Sequence, residues 1–307
     1  MDITLALGGG GVRGVAHIGV LRTLEAHGFT IKAIAGTSAG GLVGAVYAAG
    51  FSTEKMEATV RELEKSRSFD RHADDNPSLL GLSQITGILT ELLADRTFNE
   101  LKIPFAATAV SLQSGKLIIL HKGKVIDAVL ATIAIPGVFP SQDIGGRVLV
   151  DGGVLDPVPV QVARWMRPDL PVVAVMLHQL PEGCSMEDIS MPLPIPGPSS
   201  IVERLTQLRP VQAFKIFSRS IEITSKHLTE LSMQIYQPEV IIAPCVGHIG
   251  VLQSIDPGEI IQTGIEATED TLSKIEAEAN WMKKIQRRVK HRVKPITYPD
   301  HWAEIGP

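Results

Sequence analysis

Gly36-Thr37-Ser38-Ala39-Gly40 fits the pattern G-x-S-x-G, in which a serine on a sharp turn between a strand and a helix offers its hydroxyl as a nucleophile. An apolar run at 31–35 precedes it, and a stretch of small residues ending at Gly50 follows it, which is the context this chemistry needs. Gly36 and Gly40 permit the sharp turn, and the helix that follows points amide N–H groups and its positive end at developing negative charge. The competing reading is an ordinary strand-to-helix turn with Ser38 as a capping residue, since serine is also a common N-cap.

A second cluster, Gly8-Gly9-Gly10-Gly11, follows the apolar residues Ile3, Leu5 and Leu7 and contains the pattern G-x-G-x-x-G at Gly9, Gly11 and Gly14. That pattern raises a dinucleotide-binding domain as a rival. Such a domain needs an acid about 20 positions on, at the end of the second strand, to hold a ribose hydroxyl. Here the second strand ends in Gly-Thr-Ser, Glu25 falls inside the first helix, and no phosphate loop G-x-x-x-x-G-K-[ST] occurs. The glycines are better read as exposed backbone amides able to stabilise an oxyanion.

The third element is Val148-Leu149-Val150-Asp151-Gly152-Gly153, an apolar strand ending in a carboxylate. Taken alone, Asp-Gly is a common turn dipeptide, and that reading is the better one. Ligands of open parallel sheets gather beyond the carboxyl ends of the strands. If the strands are parallel, Ser38, the glycine loop and Asp151 share one edge.

The elements that must position these residues alternate. A strand around 3–7 leads to a helix over 14–27 with Val15, Ile18, Leu21 and Leu24 at helical spacing, closed by Gly28. The strand 31–35 and a helix of small residues come next, and further apolar strands are expected at 104–110, 117–120, 147–150, 172–177 and 239–244. Strand–helix alternation implies a mostly parallel sheet with helices on its faces, so the fold class is α/β. Five prolines between 181 and 200 mark a long surface excursion, a candidate lid. Residues 200–236 read as helix interrupted near Pro210, and Asp256-Pro257-Gly258-Glu259 opens another helix with an N-cap, a first-turn proline and a capping-box acid.

Together the three motifs resemble the patatin-like phospholipase family. The resemblance rests on residues 9–14 (GGGVRG), on 36–40 (GTSAG) and on Asp151-Gly152-Gly153, with 134–140 (AIPGVFP) similar to the stretch before the aspartate. It implies a three-layer α/β patatin domain over residues 1–277, followed by a basic C-terminal helical extension at 278–307. It also implies hydrolysis of lipid acyl esters by a Ser–Asp dyad, with Ser38 as nucleophile and Asp151 as proton acceptor, and an oxyanion hole from the backbone of Gly9, Gly10 and Gly11. Arg13, Gly14, Gly36, Gly40, Gly152 and Gly153 support these motifs. No metal or cofactor is needed. A conventional triad would draw on His178, His227, His248, His291 or His301, none of which sits in a recognisable motif; His17 reads as a packed histidine. A non-catalytic lipid-binding or regulatory protein on the same fold is the alternative.

The net charge of −4 gives no general attraction for nucleic acid. Cys184 and Cys245 form neither a disulfide framework nor a zinc motif, and the N-terminus lacks the pattern of a secretion signal, so the expected setting is the cytoplasm. A basic amphipathic stretch at 281–294 has Trp281, Ile285, Val289 and Val293 among seven cations. It admits two placements: on an anionic membrane surface, making the protein a peripheral one, or with its apolar stripe packed on the domain or on a second subunit and its charges in water. The second is favoured, because such helices are common in soluble proteins.

Overall fold

The computed structural model of the chain describes residues 1–65, 81–179, 209–293 and 302–304. Its strands, in chain order, are β1 (Asp2–Leu7), β2 (Thr30–Thr37), β3 (Phe105–Ser111), β4 (Leu117–Leu120), β5 (Gln142–Ile144), β6 (Arg147–Asp151), β7 (Val172–Val175), β8 (Val240–Ile242) and β9 (Trp302–Glu304). The helices are α1 (Ala16–Ala26), α2 (Ala39–Ala48), α3 (Thr53–Lys65), α4 (Ser83–Leu93), α5 (Val125–Thr132), α6 (Val160–Met166), α7 (Arg209–Tyr236), α8 (Pro257–Glu269), α9 (Leu272–Glu278) and α10 (Trp281–Val293). A 3-10 turn at Gly11–Val15 precedes α1, so the first helix begins later than its apolar spacing suggests. The proline-rich segment 181–200 lies outside the described residues. From Arg209 onward the next helix is continuous, with Pro210 in its first turn, where a missing N–H costs nothing. Asp256 caps α8 as expected, accepting from the Gly258 amide at 2.8 Å.

Strands β3, β2, β1, β7 and β8 run parallel in that order, and β4, β5 and β6 add antiparallel pairings. The sheet is therefore mixed but mostly parallel, with helices on both faces. Alternation along the strands sends successive side chains to opposite faces. Leu5 and Leu7 of β1 join Leu21 and Leu24 of α1, Val46 of α2, Val129 of α5 and Ile261 of α8 in one core. Ala6, Ala35 and Ala106 point the other way, where their small size admits α6, with Val162 and Ala163, and the end of α7 at Met233 and Tyr236. Burial of each Leu or Val contributes about 1.5–3 kcal/mol, which makes these faces the source of the fold's stability. Trp302 of β9 completes the second core, and β9 pairs in parallel with β4.

The direction of β6 differs from the parallel arrangement. Thr37 at the end of β2 pairs with Thr108, while Asp151 at the end of β6 pairs with Ala109 in antiparallel register. β4 occupies the opposite edge of β3 across the same residues, so β2 and β6 lie on one edge and meet end to end. The apolar run Val148-Leu149-Val150 carries no mark of its direction, which is why the sequence could not supply it.

Helix α10 does not pack its apolar stripe on the domain, one of the two arrangements in the favoured placement. Trp281 is 68 % and Val289 58 % exposed, with Ile285 exposed between them, so the stripe faces solvent. The cations turn inward: Lys284 meets Asp2 at 2.8 Å, Arg287 meets Glu278 at 2.7 Å, and Arg288 meets Asp169 at 3.5 Å. Four acids near the chain's own surface, Asp2, Asp169, Glu239 and Glu278, draw that face of the helix against the domain. Asp2, Asp169 and Glu239 stand at or just before the starts of β1, β7 and β8, so α10 lies at the edge of the sheet opposite Gly9 and Ser38.

Candidate active site

Ser38 occupies the junction of β2 and α2 with φ 53° and ψ −126°, a region that costs a non-glycine residue on the order of 1–3 kcal/mol and persists only where surroundings enforce it. The enforcement is visible. Thr37 Oγ1 shares a hydrogen bond with Thr108 Oγ1 at 2.6 Å and donates to the Asp156 carbonyl at 2.9 Å, while the Ser38 amide donates to Thr132 Oγ1 at 2.9 Å. The Ser38 side chain makes no capping hydrogen bond to α2, which removes the capping explanation for the serine. Gly40 lies so close to β1 that an added Cβ would stand 2.2 Å from the Leu7 carbonyl oxygen, and one on Gly36 would meet the Gly40 carbonyl at 2.6 Å.

Asp151 reaches the same place from β6. Its Oδ1 accepts from the Gly153 amide at 2.7 Å, so it does form the turn that Asp-Gly suggested. Its carboxyl is also buried beside Ser38. Burial pushes it up to about 6, opposed by the Ser38 hydroxyl and the Gly153 amide, both of which favour the ionised form. Gly152 packs against Thr108, where any side chain would collide with Oγ1.

The glycine loop contributes less evenly than its spacing suggests. The Gly9 amide donates to the Pro157 carbonyl at 2.9 Å, so Gly9 is not available as an oxyanion donor; an added Cβ there would press on Ser38 Cβ at 3.0 Å. The correction leaves Gly10 and Gly11, whose amides have no protein acceptor among the described residues. Gly11 has φ +59°, and a Cβ on it would stand 2.1 Å from the Val251 carbonyl oxygen, so this position tolerates only glycine. Gly14 lets the first turn approach Ala39. Arg13 is buried and structural: Nε donates to the Ile249 carbonyl at 2.5 Å and Nη2 to Glu222 at 2.5 Å, tying the loop to α7. His17 is fully buried against the Gly8 carbonyl and pushed down to about 4 by that burial, a packed residue as expected.

Two cavities meet at Ser38. The first, about 120 Å³, is mostly apolar, lined by Ile135, Val138, Val154 and Leu252 beside Gly9–Gly11, Ser38 and Asp151, with Ser218, Glu222 and Ser225 of α7 on one wall. The second, about 170 Å³, is lined by Leu42, Val43, Val60, Ile85 and Phe139 and is apolar. Gly11, Ile135, Val251 and Leu252 border both. The residues missed by sequence reasoning are Thr132, which holds the turn, and the α7 residues Ser218 and Glu222; none belongs to a local motif. Of the triad candidates, His178 lines the first cavity, but its Nδ1 has no partner among the described residues, and a triad histidine needs a carboxylate there to orient it. His227 and His248 are exposed, and the side chains of His291 and His301 lie outside the described residues. Glu25, the misplaced ribose acid, binds Tyr47. Among the described residues no group of three or more His, Cys, Asp or Glu side chains is placed to hold a metal ion, and no helix is long and apolar enough to cross a membrane.

Comparison with known proteins places this chain among relatives. An uncharacterized NTE family protein of Mycobacterium tuberculosis is 37% identical over 179 residues, covering 57% of this chain and 49% of its own length. A second from the same organism is 29% identical over 257 residues, covering 82% of this chain and 43% of its own. This chain thus spans about half the length of the curated relatives it matches. The crystal structure of VipD from Legionella pneumophila has a TM-score of 0.51 at 12% identity, over 90% of this chain and 67% of that one, and shares the fold. The family model for patatin-like phospholipases matches residues 5–164, the span that holds the glycine loop, Ser38 and Asp151. That match covers more than half of the chain, which belongs to the patatin-like phospholipase family.

Proposed function

We propose that the chain hydrolyses lipid acyl esters through Ser38 and Asp151. One observation carries the reading: a serine held in a strained, uncapped turn stands beside a buried carboxyl poised near neutrality, where an apolar cavity meets one that carries a few polar groups on one wall. A serine hydroxyl attacks poorly unless a base takes its proton as the bond forms. Burial supplies that base, because a carboxyl raised to about 6 is ionised at neutral pH yet more basic than one in water. The apolar cavity suits the acyl chain. Attack on the ester carbonyl moves the Ser38 proton to Asp151, and negative charge on the carbonyl oxygen falls to the amides of Gly10 and Gly11; one such donor is worth about 3 kcal/mol in other serine hydrolases. Collapse releases the alcohol, which takes the proton from Asp151. Water then attacks the acyl-Ser38 ester with Asp151 again accepting a proton, and Asp151 returns that proton to Ser38 Oγ as the fatty acid leaves.

Helix α10 stands at the end of the sheet opposite Gly9 and Ser38, with its stripe open to an anionic membrane or a second copy of the chain. The test is mass spectrometry of the intact protein after exposure to a fluorophosphonate, with p-nitrophenyl esters of graded chain length assayed in parallel. A single adduct on Ser38 together with ester turnover supports the reading. Lipid binding with neither adduct nor turnover would favour a non-catalytic lipid-binding protein on this fold.

A further inference from the structure

The mostly apolar first cavity has a few polar groups that the ester chemistry does not explain. Their wall is formed by α7, where Ser218, Glu222 and Ser225 follow one another at helical spacing, and by His178 beyond β7. Ser218 Oγ and His178 Nδ1 are both buried without a hydrogen-bond partner among the described residues. Such groups are rare in folded proteins, because each forfeits its solvation with nothing in return. Two of them on one cavity wall point to a ligand with polar atoms.

The charges around that wall state which kind of ligand. Glu222 is occupied at both oxygens, Oε1 by Arg13 at 2.5 Å and Oε2 by Arg219 at 3.1 Å, so it presents no free carboxylate. Lys226 lies one turn further along α7, half-buried and in no ion pair among the described residues. Burial and then the positive charges of Arg13 and Lys226 push the proton affinity of His178 down to about 4, against Glu222 alone. The imidazole is therefore neutral at neutral pH, with one N–H to donate, in a positive field. No aromatic ring other than the imidazole lines the cavity among the described residues, and a quaternary ammonium is recognised by aromatic faces or free carboxylates.

We infer that this wall, through Ser218 and His178 and with the charge of Lys226 one turn beyond Glu222, binds the phosphate of an ester's alcohol half, and that it selects net-anionic glycerophosphate head groups over zwitterionic choline ones. The inference rests on the hydrolase reading only in calling that half the leaving group. The acyl chain lies in the apolar cavity, the ester carbonyl at Ser38, and the phosphate oxygens accept from the Ser218 hydroxyl and the His178 N–H within the field of the Lys226 ammonium. A charge-assisted hydrogen bond to such a group is roughly twice as strong as a neutral one, and tenfold in affinity is the scale of one such contact.

The test uses lysophosphatidic acid, lysophosphatidylcholine and monoacylglycerol with one shared medium-length acyl chain, each below its aggregation threshold. Binding is measured by calorimetry on the Ser38→Ala protein, so that it does not depend on turnover. The anionic lipid is expected to bind about tenfold more tightly than either of the others. Lys226→Met and Ser218→Ala should each shrink that gap severalfold, and Lys226→Arg should restore it, with melting temperatures confirming that all fold. Inorganic phosphate should compete only at far weaker affinity; equal affinity for free phosphate would overturn the head-group assignment. Equal binding of the three lipids, or a gap untouched in Lys226→Met, would overturn the site itself. Turnover of all three by the unmodified protein alongside equal binding would leave the hydrolase standing without the anion site. No turnover and no fluorophosphonate adduct alongside an intact gap would leave the anion site standing without the hydrolase.

Discussion

Thr37 and Asp151 pair with adjacent residues of β3, Thr108 and Ala109, from strands that run toward each other along one edge. The residue after Thr37 is Ser38, so the register of β3 sets the approach of hydroxyl and carboxyl. Ser38→Ala and Asp151→Asn should each reduce ester hydrolysis by several orders of magnitude, and the double variant should lose little more than either alone, because the pair acts as a unit. Additive losses in kcat/KM would show that the two residues act separately.

Activity should follow the ionisation of Asp151. Its carboxyl is raised by burial to about 6, and only the ionised form accepts the proton from Ser38. The expected kcat/KM falls about tenfold for each pH unit below about 6 and levels off above it. A flat profile between about pH 5 and pH 8 would exclude this carboxyl as the base.

Asp156 bears on stability instead. It is buried, its Oδ1 has no hydrogen-bond partner among the described residues, and burial pushes it up from the ordinary carboxylate range to about 7. Over that window the folded chain holds a proton that the unfolded chain has lost, so stability falls as pH rises from about 4 and stops falling above about 7. Asp156→Asn removes the penalty. The variant should gain on the order of a few kcal/mol over the parent at about pH 8 and much less at about pH 5, read from urea unfolding at both.

Gly11 and Gly28 both have positive φ, +59° and +73°, yet a Cβ on Gly28 meets nothing within 4 Å whereas one on Gly11 would strike the Val251 carbonyl. Gly28→Ala should therefore cost only about 1–2 kcal/mol of backbone strain and leave activity unchanged. Gly11→Ala should displace the glycine loop from the 250–252 segment and lower kcat by about a hundredfold or more, the scale of a lost oxyanion donor. Similar kinetics for the two variants would show that the loop does not set the rate.

What the amino-acid sequence makes legible is local. The serine turn, the glycine loop and the aspartate strand each declare themselves within six residues, because a sharp turn needs glycines at fixed offsets and a buried strand needs an apolar run. The direction of β6 is not local: Val148, Leu149 and Val150 would read the same in either sense, and only pairing with Ala109 and Ser111 decides it. The same holds for Gly9, whose amide is lost to Pro157, a residue nearly 150 positions away. Ser218 and Glu222 look like ordinary polar positions of an amphipathic helix until α7 packs beside the cavity. Thr132 carries no motif at all, and its part in holding Ser38 follows from where α5 ends.

Helix α10 turns its charges toward the chain and its apolar stripe toward water. Dissolved salt screens partly exposed ion pairs such as Lys284–Asp2 and Arg288–Asp169, but leaves apolar contacts intact. Rising ionic strength therefore loosens the helix from its own domain while leaving undiminished the hold of Trp281, Ile285 and Val289 on anything outside. In this helix salt weakens attachment and spares adhesiveness.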